Sequence, residues 1–188
     1  MKGILTTLAF GTQTGEGVPY KTGQGNSIDA TGALIIGGEL PDGERLKGYV
    51  TFAAEQPIRG DISSCVVLVG YYRAVCRANG VDAEKLPIWP YVEKLSTEIA
   101  SDEDVEAVDE AALVVAAFIV AFANQGGKYV GTEVDFKVAT KVDPKTGNSV
   151  KHLNGISFAG ATAQETDDVL KLVPDTLEDV LKQSLAAK

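Results

Sequence analysis

Every even-numbered residue from Val130 to Val142 is β-branched or aromatic: Val130, Thr132, Val134, Phe136, Val138, Thr140 and Val142. Glu133, Asp135, Lys137 and Lys141 stand between them. A sustained period of two suits an extended strand with one buried face; on a helix it would scatter the apolar groups around the axis. Asp143-Pro144-Lys145-Thr146-Gly147-Asn148 follows. Its proline presets φ and its glycine accepts a left-handed backbone, so the chain turns there. Residues 149–158 then return as the paired strand, with Gly155 as a candidate bulge.

The same reasoning yields three more strands. Residues 3–10 alternate weakly. Residues 33–40 are apolar and lead through Pro41-Asp42-Gly43-Glu44 into residues 45–54. There Leu46, Gly48, Val50, Phe52 and Ala54 alternate with Lys47, Tyr49, Thr51 and Ala53, giving a hairpin with an inward and an outward face. Phe52 and Phe136 fall on apolar faces and are expected in the core. Residues 11–27 hold Gly11, Gly15, Gly17, Gly23 and Gly25 among Thr, Gln and Asn, a loop composition.

Residues 61–125 change period. Asp61 is positioned to cap a helix running to Asn79-Gly80, with Cys65, Leu68, Tyr72 and Val75 along one stripe. Pro87 and Pro90, around Trp89, open a shorter helical segment over 87–100. Ser101 with Asp104 forms a capping-box pattern. It is followed by Val105, Val108, Ala112, Val115, Ile119 and Phe122 at helical steps, ending at Asn124-Gln125-Gly126-Gly127. A last helix is predicted over 175–186, capped by Asp175, with Leu177, Val180, Leu181 and Leu185 on its apolar side. Cys65 and Cys76, read as one helix, share a face about 16 Å apart along the axis, too far to bridge or hold a metal together.

The expectation is therefore one α+β domain over 1–188. Its five antiparallel strands are 3–10, 33–40, 45–54, 128–142 and 149–158, with the long helical segment between the third and fourth. Strands in that order suit a five-stranded OB-like barrel. Such a barrel binds oligomers on its strand 2–3 face and with the loops joining strands 1–2 and 4–5, here residues 11–32 and 143–148. Gly127-Lys128-Tyr129-Val130-Gly131-Thr132-Glu133-Val134-Asp135-Phe136-Lys137-Val138, with the Asp143-Pro144-Lys145-Thr146-Gly147 turn, resembles the closing hairpin of phage-type single-stranded-DNA-binding proteins. The resemblance implies an OB fold and a non-catalytic role in replication or recombination in the cytoplasm. The 65 or so residues of helical sequence between the third and fourth strands exceed what one capping helix of such a fold needs.

Charge separates along the chain. The total is −9, which argues against attraction of nucleic acid or anionic lipid to the whole surface. Residues 61–127 hold eleven acids and four bases, whereas residues 128–160 hold three acids and five bases. The strands are thus near neutral and the helices acidic. Lys47 and Tyr49 share an outward face, where an aromatic beside a base can stack nucleobases. Arg45, Lys137, Lys141, Lys145, Lys151 and His152 are further candidate contacts, with Tyr20 and Lys21 in the glycine-rich loop. Single-stranded DNA is the expected partner, RNA and self-association staying open, with no cofactor and no membrane.

Other classes find less support. His152 is the only histidine, which excludes a multi-histidine metal site, and no Cys/His ligand spacing occurs. Asp102, Glu103, Asp104, Glu106, Asp109 and Glu110 mostly fall in early helical turns, where acids complement the helix dipole. The glycine-rich loop lacks the Gly-Lys-Ser/Thr ending of a P-loop. The start, Met1 to Phe10, lacks the long apolar run of a signal peptide, and the run Ala111 to Ala123 is too short to span a membrane. Two non-enzymatic alternatives remain. One is a virion component assembling through its N-terminal arm and the 105–122 stripe, the other a DNA mimic using the acids at 102–110.

Overall fold

The computed structural model describes residues 1–12, 20–21, 27–28, 31–59, 61–124, 129–143 and 145–157. In chain order the elements are β1 (Lys2–Thr12), β2 (Tyr20–Lys21), β3 (Ser27–Ile28), β4 (Gly32–Glu39), β5 (Arg45–Phe52), β6 (Pro57–Arg59) and β7 (Ile62–Ser63). Next come α1 (Val67–Ala78), α2 (Trp89–Lys94), α3 (Asp102–Asn124), β8 (Glu133–Val142) and β9 (Ser149–Ser157). The helix expected over 175–186 lies outside the described residues.

The fold is α+β, built on a five-stranded antiparallel sheet ordered β5-β4-β1-β8-β9. The expected closure into a barrel is not made by strand pairing, because β5 and β9 are the sheet's two edges. The edges nevertheless touch. A Cβ added to Gly48 in β5 would lie 1.9 Å from the Leu153 carbonyl oxygen in β9, so only glycine admits this approach. Lys151 of β9 also pairs with Glu44, just before β5.

Alternation decides which side chains are inside. Leu5, Leu8, Leu34, Ile36, Leu46, Phe52, Val134, Phe136, Leu153 and Ile156 are buried and merge with the helices into one core. Phe136 lies across Gly38, where an added Cβ would come within 2.3 Å of its ring. Gly155, at φ 143°, coincides with a register shift. Lys137 pairs with Gly155 and Val138 with Leu153, so Asn154 is the extra residue and the expected bulge is present.

The helices cover the inner side. Phe118 and Phe122 of α3 stack at 5.3 Å, and Tyr72 of α1 meets both Phe118 and Trp89. Asn124 ends α3 by donating to Val120 O and Leu8 O, at 2.7 and 3.1 Å, which ties the helix to β1. The Ser101–Asp104 cap forms in a shifted version of the box: Asp104 N donates to Ser101 Oγ, while Asp104 Oδ2 accepts from Ala100 N, one residue before the cap.

Three expected boundaries need correction. The strand predicted over 128–142 begins at Glu133. Val130 and Thr132 belong to a turn around Gly131 (φ 91°), held by the Gly131 N to Leu5 O bond at 2.7 Å. The helix expected to start at Asp61 is preceded by β7 and a 3₁₀ turn, Ser64–Val66, capped by Ser63 Oγ, which accepts from Cys65 N. Cys65 therefore sits ahead of α1 and not in the same helix as Cys76, although both are free and buried. The segment read as helical over 87–100 keeps only α2, since Glu98 bridges to Ile62 instead.

Candidate nucleic-acid interface

Three cross-strand rows make up the outward face of β5, β4 and β1. Tyr49 stands beside Ile35, which faces Ala9; Lys47 beside Gly37, which faces Thr7; Arg45 beside Glu39, which faces Ile4. A register shift between Leu5 and Thr7 inserts Thr6 as an extra residue, so Thr6 and Thr7 are both exposed. Gly37 contributes no side chain. The result is a trough of ≈ 510 Å³ lined by threonines, Ile35, Gly37, Glu39, Arg45 and Lys47.

Tyr49 borders this surface and is 50% exposed, unusual for an aromatic on a sheet whose other face supplies the core. The Lys47 ammonium sits 5.4 Å from the Tyr49 ring centroid, within cation–π range. The pair presents a ring face and a positive charge together, at i and i+2 on one strand.

The other candidate cations divide by whether they are already compensated. Arg45 donates to Glu39 at 3.2 Å, and Lys151 is paired with Glu44, which holds the Lys151 ammonium above its usual pKa. Lys137, Lys141 and Lys145 are exposed and have no ion pair among the described residues. Lys145 lies in a turn set by Asp143, whose carboxylate accepts from Lys145 N and Thr146 Oγ1. Those bonds keep the Asp143 carboxyl below the ordinary carboxylate range. Tyr20 and Lys21 form the short strand β2 and His152 pairs with Ala139 in β9; their side chains lie outside the described residues.

Antiparallel order fixes the relative positions of these groups. The 143–148 turn and the 40–44 turn leave the sheet at one end, and residues 13–31 join β1 to β4 at the other. Lys47 and Tyr49 stand between the two ends. The structure thus brings Arg45, Lys47 and Tyr49 together on the outward face and sets Lys141, Lys145 and Lys151 toward one end of the sheet, with Lys151 on the side of Leu153 and Lys137 outward on β8.

The acids of α3 serve the fold in two cases. Asp104 caps the helix, and the bonds from Ala100 N and the Ser101 hydroxyl hold its carboxyl below the usual range. Asp109 Oδ1 accepts from Thr31 Oγ1 and, at 2.9 Å, from Ala54 N, joining the helix to the starts of β4 and of the segment after β5. Sequence patterning missed that role, because Asp109 looks like any other acid in the run and its partners are remote in sequence.

Among the described residues no three His, Cys, Asp or Glu side chains are grouped to hold a metal. Burial pushes the Cys65 and Cys76 thiols up to about 12, far from the thiolate a nucleophile needs. No helix of the described residues is long and apolar enough to cross a membrane. No family model, no curated protein and no solved structure matches the chain.

Proposed function

We propose that this chain is a non-catalytic protein that binds single-stranded DNA without reading its sequence, in the replication or recombination of a phage or mobile element. The carrying observation is Tyr49, half exposed beside the Lys47 ammonium on the rim of an open trough. A ring offers its face to any base, and stacking is worth ~1–3 kcal/mol per base. Lys137, Lys141 and Lys145 would neutralise phosphates nearby.

The strand order supports an OB-type barrel left partly open between β5 and β9, whose strand 2–3 face corresponds to β4–β5. The helices α1, α2 and α3 lie on the inner side, so no described helix covers this face. The 105–122 stripe on which the virion reading relied is buried within the chain's own core: Val108, Ala112, Val115, Ile119 and Phe122 are each at most 1% exposed.

A labelled oligo-dT titrated at low and then rising salt tests the proposal, with oligo-U alongside. Binding is expected at low salt and should weaken steeply as salt releases the phosphate contacts. Absence of binding at low salt would remove the proposal. Full affinity in Tyr49→Ala would remove the stacking role alone.

A further inference from the structure

The bulge in β1 gathers polar groups on the outward face. A regular strand would send Thr6 and Thr7 to opposite sides of the sheet. The register shift between Leu5 and Thr7 puts both in the same trough instead. Gly37 of β4 stands across the ladder from Thr7, and the two hydroxyls meet over it. Thr7 Oγ1 and Thr6 Oγ1 lie 3.0 and 3.2 Å from the point that a Gly37 Cβ would occupy. A side chain at 37 would crowd both threonines, so the glycine and the bulge together make a floor with two hydroxyls.

Lys47 of β5 pairs with Gly37 on its other side and is exposed, which completes the row. Two hydroxyls and an ammonium are donors of the kind that phosphate oxygens accept from, and the hydroxyls rotate to suit. The trough, at ≈ 510 Å³, has room for a phosphate with its sugar. Glu39 lines it too, two positions along β4 from Gly37, and its Oε2 accepts from Arg45 Nε at 3.2 Å. That carboxylate repels an anion at its own end. The Gly37 row is therefore where a phosphate meets donors alone.

We propose that this row seats a backbone phosphate of the bound strand, its oxygens accepting from Thr6 Oγ1, Thr7 Oγ1 and Lys47 Nζ. The inference rests on the single-stranded-DNA reading and adds to it a phosphate seat beside the stacking ring. Tyr49 follows Lys47 by two residues along β5, about 6.8 Å at the rise of a strand. The seated phosphate thus belongs to the nucleotide stacked on Tyr49 or to its neighbour. Because Glu39 holds the other end, the strand leaves the trough past Ile35 and Tyr49. Neither the ring nor the phosphate seat depends on which base is present.

Oligo-dT and oligo-dA, titrated against variants at several salt concentrations, test this. The double variant Thr6→Val, Thr7→Val removes the hydroxyls and keeps the branched shape. It should bind both oligomers about tenfold more weakly, with the salt slope of wild type, since no charge has changed. Thr6→Ser, Thr7→Ser restores the donors and should bind like wild type. Lys47→Gln should weaken binding and reduce the slope of log affinity against log salt by about 0.7. All three should keep the wild-type thermal transition, because residues 6, 7 and 47 are exposed.

A protein that binds, and loses affinity with Tyr49→Ala, but ignores either the valine pair or Lys47→Gln would overturn the phosphate seat and leave the DNA reading standing. A loss confined to one of the two oligomers would assign the hydroxyls to a base edge and overturn the seat as well. A wild type that binds neither oligomer removes the reading and the seat together.

Discussion

The sheet's two faces are made of the same strands yet obey different rules. On the inner side, Leu34, Ile36, Phe52, Phe118, Ile119 and Phe122 are entirely buried, and every volume is set by a neighbour. On the outer side, Lys47, Thr6 and Thr7 line a trough, with Tyr49 exposed beside Lys47 and no described element over them. The inner face holds the fold together. The outer one carries an aromatic ring and a cation that the core does not require. Freedom from packing duties is what makes the second face the place to look for binding.

Substitution can break that contrast or sharpen it. The largest effect expected is from Phe118→Ala, which empties a site between Tyr72 and Phe122; it should cost about 3–5 kcal/mol in denaturant unfolding. Gly48→Ala should follow, at about 1–3 kcal/mol, since its methyl group would collide with the Leu153 carbonyl. A neutral Gly48→Ala would mean that the β5 and β9 edges part freely. Tyr49→Ala is the reverse case. Its unfolding free energy should stay within about 0.5 kcal/mol of wild type, while oligo-dT binding falls. If instead stability dropped and binding held, the outer face would be structural after all.

Two smaller effects refine the picture. Glu39→Gln frees Arg45 from its carboxylate partner and should modestly raise low-salt affinity for oligo-dT, without altering the thermal transition. The last concerns pH. Asp143 and Asp104 have carboxyls held below the ordinary range in the folded chain. The stability they confer is present above the unfolded-state carboxylate pKa and is lost as pH falls through the lower folded-state values. The protection of amides in the turn at Asp143 and in the first turn of α3, relative to their intrinsic exchange at each pH, should therefore fall in acid and not near neutrality.

The hairpin now formed by β8 and β9 was legible because its period of two is uninterrupted and its turn chemistry is unambiguous. Its start was misjudged for a definite reason. Val130 and Thr132 continue the alternation, but Gly131 takes a positive φ and the Gly131 N–H is drawn to Leu5. A long-range bond thus overrode the local pattern. At Asp61 the error was similar: a capping residue was available, yet Ser63 and Ser64 bind Ala53 of the preceding segment and delay the helix. Among the candidate contacts, Lys47 and Tyr49 followed directly from alternation. That Arg45 and Lys151 are compensated by Glu39 and Glu44 did not, least of all for Lys151, 107 residues from its partner.

Local chemistry alone determined the five strands of the main sheet and the long helix α3 apart from their ends, the inward and outward faces of those strands, the bulge at Gly155 and the separation of acidic helices from near-neutral strands. Each depends on side chains within a few positions of one another, where periodicity and turn preference act directly. Only the tertiary structure decided that β5 and β9 meet through a glycine instead of a ladder and that Asp109 is a joint between layers. Those outcomes depend on where distant backbones stop relative to each other, and no spacing along the chain encodes that.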